Sequence, residues 1–567
     1  MVLMNDCRKI RSEYDRWVSN KSISEQLRDE LLSVAKDSSA IQDRFWQHLS
    51  FGTGGLRGLI GAGTNRMNEF VVRRATQGLA DYLVKNDGTS VCIGWDTRIM
   101  SREFAQIAAE TLCANGIIVY MFTNARPTPM LSFAVRQKLA FAGIVITASH
   151  NPYEYNGYKV YGPDGGQITD EAAESISANI NIYDILSDIP RLSVTSARMK
   201  GLYFDLDDID DLYYYKVKML VSRSTMVAQH ATKLSVLYTP LHGTGNTPIR
   251  RILSDLGFTN LSVVTAQESP DGNFPTVISP NPEEALAFAI ALEQANGHDI
   301  ILATDPDCDR VGVYAKNKYN KYSALTGNQI GVLLCDYLIE ARREKGTLDG
   351  NAAIIKTIVT TDLVRRICEN SGVATIDTLT GFKYIGEKIG EWERSFEHTF
   401  IFGFEESYGY LAGDFVRDKD AVIATVLICE MALFYKLKKM SLHDALENLF
   451  AKFGYADECL VSITLKGIGG VNQIKKIMDI FRYDAIKLLG NENITSIEDY
   501  LNGFRDLPKS DVLKFIFDDN SWLAVRPSGT EPKIKFYFGA IGNTKDIVNT
   551  RLQHIEKIVR QAVDNTT

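Results

Sequence analysis

Three aspartates at alternate positions, in Asp305-Pro306-Asp307-Cys308-Asp309-Arg310, follow the apolar run Ile300-Ile301-Leu302. Carboxylates this close repel one another unless they are neutralised, and hard oxygen donors suit Mg²⁺. An extended backbone would place all three on a common side, and a tight loop would fold them around one ion; the spacing is compatible with either. The residues that follow lack the twelve-residue pattern of an EF-hand, so the expectation is a divalent site completed by a phosphate oxygen.

A second apolar run, Gly143-Ile-Val-Ile146, breaks into Thr147-Ala-Ser-His-Asn-Pro152. A buried strand that ends in small polar residues holds a hydroxyl out to solvent, which makes Ser149 the candidate nucleophile, with His150 beside it. By itself, a serine before Asn-Pro is as well explained by local backbone hydrogen bonding. Two further segments shift the balance. Arg526-Pro-Ser528-Gly529-Thr530 joins a fixed cation to hydroxyls and a glycine, the composition of a phosphate cradle. Gly403-Phe-Glu405-Glu406-Ser407-Tyr-Gly409 sets two carboxylates and a hydroxyl between glycines. Adjacent acceptors of this kind suit a polyol better than glycosidase chemistry, whose carboxyl groups flank the bond from separate elements.

In this order along the chain, the four segments resemble the phosphoserine, metal, sugar and phosphate loops of the α-D-phosphohexomutase superfamily. The likeness runs from about Phe51 to about Phe538 and is strongest to the phosphoglucomutase and phosphopentomutase branch. Phe51-Gly-Thr-Gly-Gly-Leu-Arg57-Gly58 resembles the family's amino-terminal glycine loop, Ala62-Gly-Thr-Asn-Arg-Met-Asn68 a segment of its long-form members, and Asn156-Gly-Tyr-Lys159 the segment bearing its active-site lysine. Thr380-Gly381-Phe-Lys383-Tyr384 resembles the third domain's sugar-contacting loop, and Arg417-Asp-Lys419-Asp420 a segment with a substrate-contacting lysine. Cys308 departs from the pattern, because many relatives carry glycine or alanine there; a soft thiol ill-suited to Mg²⁺ reads as a small packed residue.

The resemblance implies a mutase that moves phosphate between C1 and C6 of glucose through a phosphorylated Ser149 and a glucose 1,6-bisphosphate intermediate. Mg²⁺ would be held by Asp305, Asp307, Asp309 and the phosphoserine at Ser149. Arg57, His150 and Lys159 would serve catalysis, with Lys159 the first choice of general base. Arg310, Thr380, Gly381, Lys383, Glu405, Ser407, Lys419, Arg526, Ser528, Gly529 and Thr530 would bind the phosphosugar. A ribose, deoxyribose or mannose phosphate is the rival substrate. A non-catalytic sugar-phosphate binder is the rival class, disfavoured because serine, metal loop and cradle are all complete.

These residues need rigid elements behind them. Val91–Gly94, Gly116–Met121 and Ile144–Ile146 read as strands around a helix near Phe104–Ala114, and the same alternation recurs over 234–313 and 352–402. Ser24 can cap a helix that runs to about Lys36, a packing element. At 567 residues the length implies about four domains. The expected fold is three related α/β domains plus a smaller C-terminal α+β domain around a central cleft, with limits at 1–215 (a helical extension over 1–45), 216–325, 326–454 and 455–567. The last domain, which carries Arg526, is the expected lid.

Composition narrows the setting. The net charge of −8 and the lack of a long basic run disfavour nucleic acid, so the cleft must gather its own cations to hold an anionic substrate. The apolar run Val422–Tyr435, interrupted by Glu430, is too short to span a bilayer. Eight dispersed cysteines without a Cys-x-x-Cys pair, and an amino terminus without an apolar signal core, point to reduced thiols in the cytosol. Oligomeric state is not legible.

Overall fold

The structure, a computed structural model, describes residues 2–465, 467–489, 492–528 and 533–564. It divides into two compact units, one of Met1–Gly312, Ile389–Glu391 and Gly413–Glu430, the other of Val313–Lys388, Trp392–Ala412 and Met431–Thr567.

The first unit opens with helices α1 (Val2–Ser19), α2 (Glu25–Ser33) and α3 (Ser38–Phe45). Ser24 caps α2 as its sequence predicts, by accepting from Leu27 N. Trp17 is fully buried and packs edge-on against Phe45 and against Phe70 of α4 (Glu69–Lys85), so the extension shares the core that follows.

That core surrounds a mixed six-stranded sheet in the order β1-β5-β4-β2-β3-β6. Its strands are β1 (Leu56–Leu59), β2 (Ser90–Trp95), β3 (Ile118–Met121), β4 (Ala142–Ile146), β5 (Tyr155–Tyr161) and β6 (Tyr203–Asp205). Strands β4, β2, β3 and β6 run parallel, with helices α5 (Ser101–Ala114) and α6 (Thr128–Gln137) between them in sequence. Strand β4 is buried along its whole length, which is why it reads as an unbroken apolar run. Strands β5 and β1 add antiparallel at one edge. Gly55, at φ 75°, enters β1 so close to β5 that a Cβ would lie 1.9 Å from the Tyr158 carbonyl oxygen, so the glycine loop tolerates no side chain there.

A second sheet follows, with β7 (Val236–Thr239) between β8 (Leu261–Val263) and β9 (Ile300–Thr304), all parallel.

The second unit begins at Val313, within strand β10 (Val311–Lys316), which pairs antiparallel with β11 (Tyr322–Leu325). A third sheet, in the order β13-β12-β14-β15, consists of β12 (Ala352–Thr357), β13 (Ala374–Thr378), β14 (Thr399–Glu405) and β15 (Gly409–Ala412). Its first three strands are parallel and β15 returns antiparallel. The C-terminal sheet, in the order β16-β20-β19-β18-β17, is antiparallel throughout. Its strands are β16 (Tyr455–Thr464), β17 (Ile494–Asp499), β18 (Leu513–Phe517), β19 (Trp522–Pro527) and β20 (Lys533–Gly542). Three α/β layers and one α+β layer are therefore present.

The C-terminal sheet shares a core with the third. Ile358, Val359 and Leu379 pack with Tyr500, Val512, Trp522 and Tyr537. A lid motion of the last domain by itself would expose this apolar surface.

The apolar run over 422–435 lies in a buried helix, Ala421–Leu437. Its Glu430 is buried and accepts from the backbone N–H groups of Ser222 (3.1 Å) and Arg223. Among the described residues no helix is long and apolar enough to cross a membrane.

Candidate active site

The acidic segment forms a tight loop after β9. Cys308 N bonds the Asp305 carbonyl, and the backbone N–H groups of Asp309 and Arg310 both donate to Asp305 Oδ1 at 3.0 Å. This turn brings one carboxylate oxygen from each of Asp305, Asp307 and Asp309 within 4.8 Å of the others, all three residues buried. Cys308 at its apex has φ 53° and is fully buried. A left-handed backbone is one that glycine adopts without strain, so the cysteine is held there by its surroundings. Burial pushes the thiol pKa well up, assisted by Asp305 and Asp420, as for a packed thiol.

Ser149 meets this loop from the first sheet. Its backbone, at φ 51°, turns out of the end of β4 with its N–H bonded to Thr147 Oγ1, and its hydroxyl donates to Asp305 Oδ2 at 2.7 Å. His150 Nδ1 lies 3.3 Å from the same hydroxyl. Burial, then the Arg310 and Arg57 cations, depress the imidazole pKa well below its usual range, so His150 is neutral.

Two lysines face the acidic trio. Lys159, on β5, places Nζ 3.0 Å from Asp307 Oδ2 and 3.7 Å from Asp309 Oδ2, and Lys419 Nζ lies 2.7 Å from Asp309 Oδ2. Burial raises the Asp307 pKa, but the Lys159 and Lys419 ammonium groups outweigh it and hold the carboxyl below its usual range. Asp305 goes the other way, raised by burial and by Asp309 and Asp307.

Three carboxylates thus share two ammonium groups, and Asp307 Oδ1 and Asp309 Oδ1 accept no hydrogen bond among the described residues. Buried carboxylate oxygens without donors fit a hard divalent cation. Asp305, Asp307 and Asp309 are the residues that could hold it.

Sequence reasoning missed several neighbours. Thr128, the first residue of α6, donates to Asp307 twice, from Oγ1 (3.0 Å) and from N (2.9 Å). Glu283 forms an ion pair with Arg310. Arg57 donates to Asn151 Oδ1 at 3.0 Å, one turn beyond the serine. Buried Arg98 binds the carbonyls around Ser149; the polar stop of β2, Trp95-Asp96-Thr97-Arg98, is the same kind of signal that singled out Ser149.

The second unit positions the expected sugar residues on its own sheet. Glu405 closes β14, and its Oε1 accepts from Gly381 N at 2.9 Å, which brings the two predicted loops together. Glu406 Oε2 accepts from Thr357 and Thr360 hydroxyls at 3.4 Å each. Thr380 Oγ1 is buried without a hydrogen-bond partner among the described residues, Ser407 lies in the β14–β15 turn, and Lys383 Nζ sits 4.5 Å from the Tyr384 ring centroid. Arg526 is on β19 opposite Lys535, and Ser528 N bonds the Lys533 carbonyl at 2.8 Å. Gly529 and Thr530 lie outside the described residues.

Four layers of this order, with a serine against a buried acidic trio, define a phosphoryl-transfer fold. Residues 48–185, 213–318 and 326–453 match the phosphoglucomutase/phosphomannomutase alpha/beta/alpha domains I, II and III, and residues 473–549 match the C-terminal domain. The chain belongs to the phosphoglucomutase/phosphomannomutase family, in the α-D-phosphohexomutase superfamily. A phosphoglucomutase of Staphylococcus aureus is 38% identical over 520 residues, 88% of this chain and 92% of that protein. One of Staphylococcus saprophyticus is 37% identical over 505 residues, 86% and 90% of the two chains. The open form of pp63/parafusin, a phosphoglucomutase from Paramecium, shares the fold at 18% identity, with a TM-score of 0.69 over 91% of this chain and 94% of its own.

Proposed function

We propose that this enzyme interconverts α-D-glucose 1-phosphate and glucose 6-phosphate by passing a phosphoryl group through Ser149. The observation that carries the reading is the 2.7 Å bond from the Ser149 hydroxyl to Asp305, inside a buried carboxylate trio with unfilled acceptors. A hydroxyl aimed at carboxylates that themselves call for a cation is arranged for phosphoryl transfer. Similarity to staphylococcal proteins named phosphoglucomutase supports glucose as the sugar.

In this scheme Ser149 carries the phosphoryl group between turnovers. Mg²⁺ held by Asp305, Asp307 and Asp309, with a phosphoserine oxygen completing the set, would draw charge from the transferring group. Arg310 faces the same oxygens and stabilises their charge. The substrate's own phosphate docks on Arg526, Ser528, Gly529 and Thr530, while Glu405, Ser407, Thr380, Gly381 and Lys383 hold its ring. Lys419 and Arg57 add positive charge around the reacting end.

The free sugar hydroxyl forms a bond to phosphorus as the bond to Ser149 Oγ breaks; the Lys159 ammonium gives its proton to Ser149 Oγ, and the amine so formed takes the proton of the attacking hydroxyl. Neutral His150 orients the serine hydroxyl released. The product is glucose 1,6-bisphosphate, which turns end for end so that its original phosphate faces Ser149 and passes to it, which restores the phosphoserine and leaves the newly added phosphate on the product.

The proposal extends to domain limits at 1–215, 216–325, 326–454 and 455–567, supported by the matched spans. It also extends to a cytosolic setting, supported by cysteines that are all free.

The test is kcat/KM with Mg²⁺ and the matching bisphosphate for glucose, mannose and ribose 1-phosphates, with free phosphate followed in parallel and Ser149→Ala as control. Glucose 1-phosphate should win by about tenfold or more, equivalent to ~1.4 kcal/mol of transition-state preference. A ribose 1-phosphate preference would overturn the substrate, and full turnover by Ser149→Ala would overturn the nucleophile.

A further inference from the structure

The loop that presents Ser149 bonds its own backbone at two places, Asn151 N to the Ala148 carbonyl and Tyr155 N to the Pro152 carbonyl. Between β4 and β5 the chain forms turns and bends, so its other carbonyl groups need partners from elsewhere. One side chain supplies several of them. Arg98 Nη2 donates to the carbonyl oxygens of Ser149 and Asn151, and Nη1 donates to those of Pro152 (2.8 Å) and Tyr155 (3.1 Å). Its Nε lies 3.3 Å from Asp96 Oδ2, and both side chains are fully buried.

The guanidinium is fixed from every direction. Asp96 is anchored by Arg98 N (3.0 Å) and Ser101 Oγ (2.6 Å) through its other oxygen. The Phe274 ring lies 4.9 Å from the guanidinium carbon, and a Cβ at Gly272 would lie 2.4 Å from Ile99 N. Ser279, further along the same segment, donates to the His150 carbonyl at 3.3 Å.

We infer that Arg98 is the positioning residue of the nucleophile: by binding four carbonyls of the Ser149 loop it holds Ser149 in its left-handed backbone, with the hydroxyl directed at Asp305. The inference rests on the proposed transfer through Ser149. Arg98 acts through the backbone, and only a planar fork of donors can span four carbonyls; a lysine ammonium has three donors on a compact head. Misplacing a reacting atom by about 1 Å lowers rates on the order of 100-fold. Attack by water demands less alignment than attack by a bound sugar, so loosening the loop shifts the balance toward hydrolysis.

The experiment uses full-length enzyme labelled with ³²P on the serine, with transfer to glucose 1-phosphate and release of inorganic phosphate timed in single turnovers. Arg98→Lys should slow transfer roughly 100-fold, leave the sugar-phosphate KM within about threefold, and raise the share of label lost to water. Wild-type transfer by the folded Arg98→Lys protein, its folding checked by circular dichroism, would overturn the inference. Should Arg98→Lys not fold, Asp96→Asn, which removes the charge that holds Nε and lets the guanidinium drift from its four carbonyls, should slow transfer about tenfold; an unchanged rate would overturn the inference equally. Absence of label on wild-type Ser149 would instead overturn the nucleophile assignment, so the two failures are distinct.

Discussion

Lys514 Nζ, buried in strand β18, donates to the carbonyl oxygen of Ile358 at 2.7 Å and so ties the C-terminal sheet to the loop after β12. The same loop is gripped from the other side by Lys356, whose Nζ donates to the Thr357 and Thr360 carbonyls and pairs with Asp362 and Asp377. Thr357 and Thr360 in turn hold Glu406 of the proposed sugar loop.

Replacing Lys514 by methionine keeps the stem but strands the Ile358 carbonyl. A buried acceptor left unpaired costs about 1–3 kcal/mol. The Lys514→Met protein should unfold at lower urea concentration by that amount and bind glucose 1-phosphate more weakly. An unchanged midpoint would show that this tie carries no weight.

Glu458, on β16, accepts from Asn328 Nδ2 at 2.8 Å. Burial, with Asp457 and Asp362 adding to it against the bonds from Thr361 and Asn328, pushes its pKa up from 4.5 to about 8. The folded protein therefore keeps a proton that the unfolded chain releases. Between those two values stability falls as pH rises, and the penalty is complete above the folded pKa. Glu458→Gln, which retains an acceptor for Asn328, should match the wild-type unfolding free energy near pH 5 and exceed it near pH 9 by on the order of 1–3 kcal/mol. A constant difference between the two proteins across this range would refute the linkage.

Chelation offers a test of the acidic trio. Treatment with EDTA should abolish phosphoryl transfer, and Mg²⁺ should restore it, while far-ultraviolet circular dichroism stays unchanged because Lys159 and Lys419 already neutralise two of the three carboxylates. Unfolding on chelation would mean that the loop depends on the ion for its shape.

Thiol chemistry separates packing from reactivity. Cys7 is exposed and Cys459 partly so, whereas Cys308 is buried with its pKa raised. A thiol reagent on the native protein should modify Cys7 first, on the order of 100-fold faster than Cys308, without loss of activity, because only a thiolate reacts. Early modification of Cys308 would contradict the packing described here. Cys335 and Cys368, whose sulfurs lie 3.8 Å apart, should also remain protected.

The sequence by itself determined the chemistry-bearing loops and the strands that support them. Ser149, Asp305, Asp307 and Asp309 stand where apolar runs stop, and a strand's end is a local property that side-chain pattern reveals. Only the tertiary structure decided that the three aspartates close into a turn and do not extend, because left-handed Cys308 is stabilised by its surroundings and not by its own preference. It also decided the partners: Arg98 under the serine loop, Thr128 on Asp307, Glu283 on Arg310, and Lys514 on Ile358. Each of these contacts joins residues about 30 to 180 positions apart, and their meeting is fixed by how sheets pack, which no local pattern encodes.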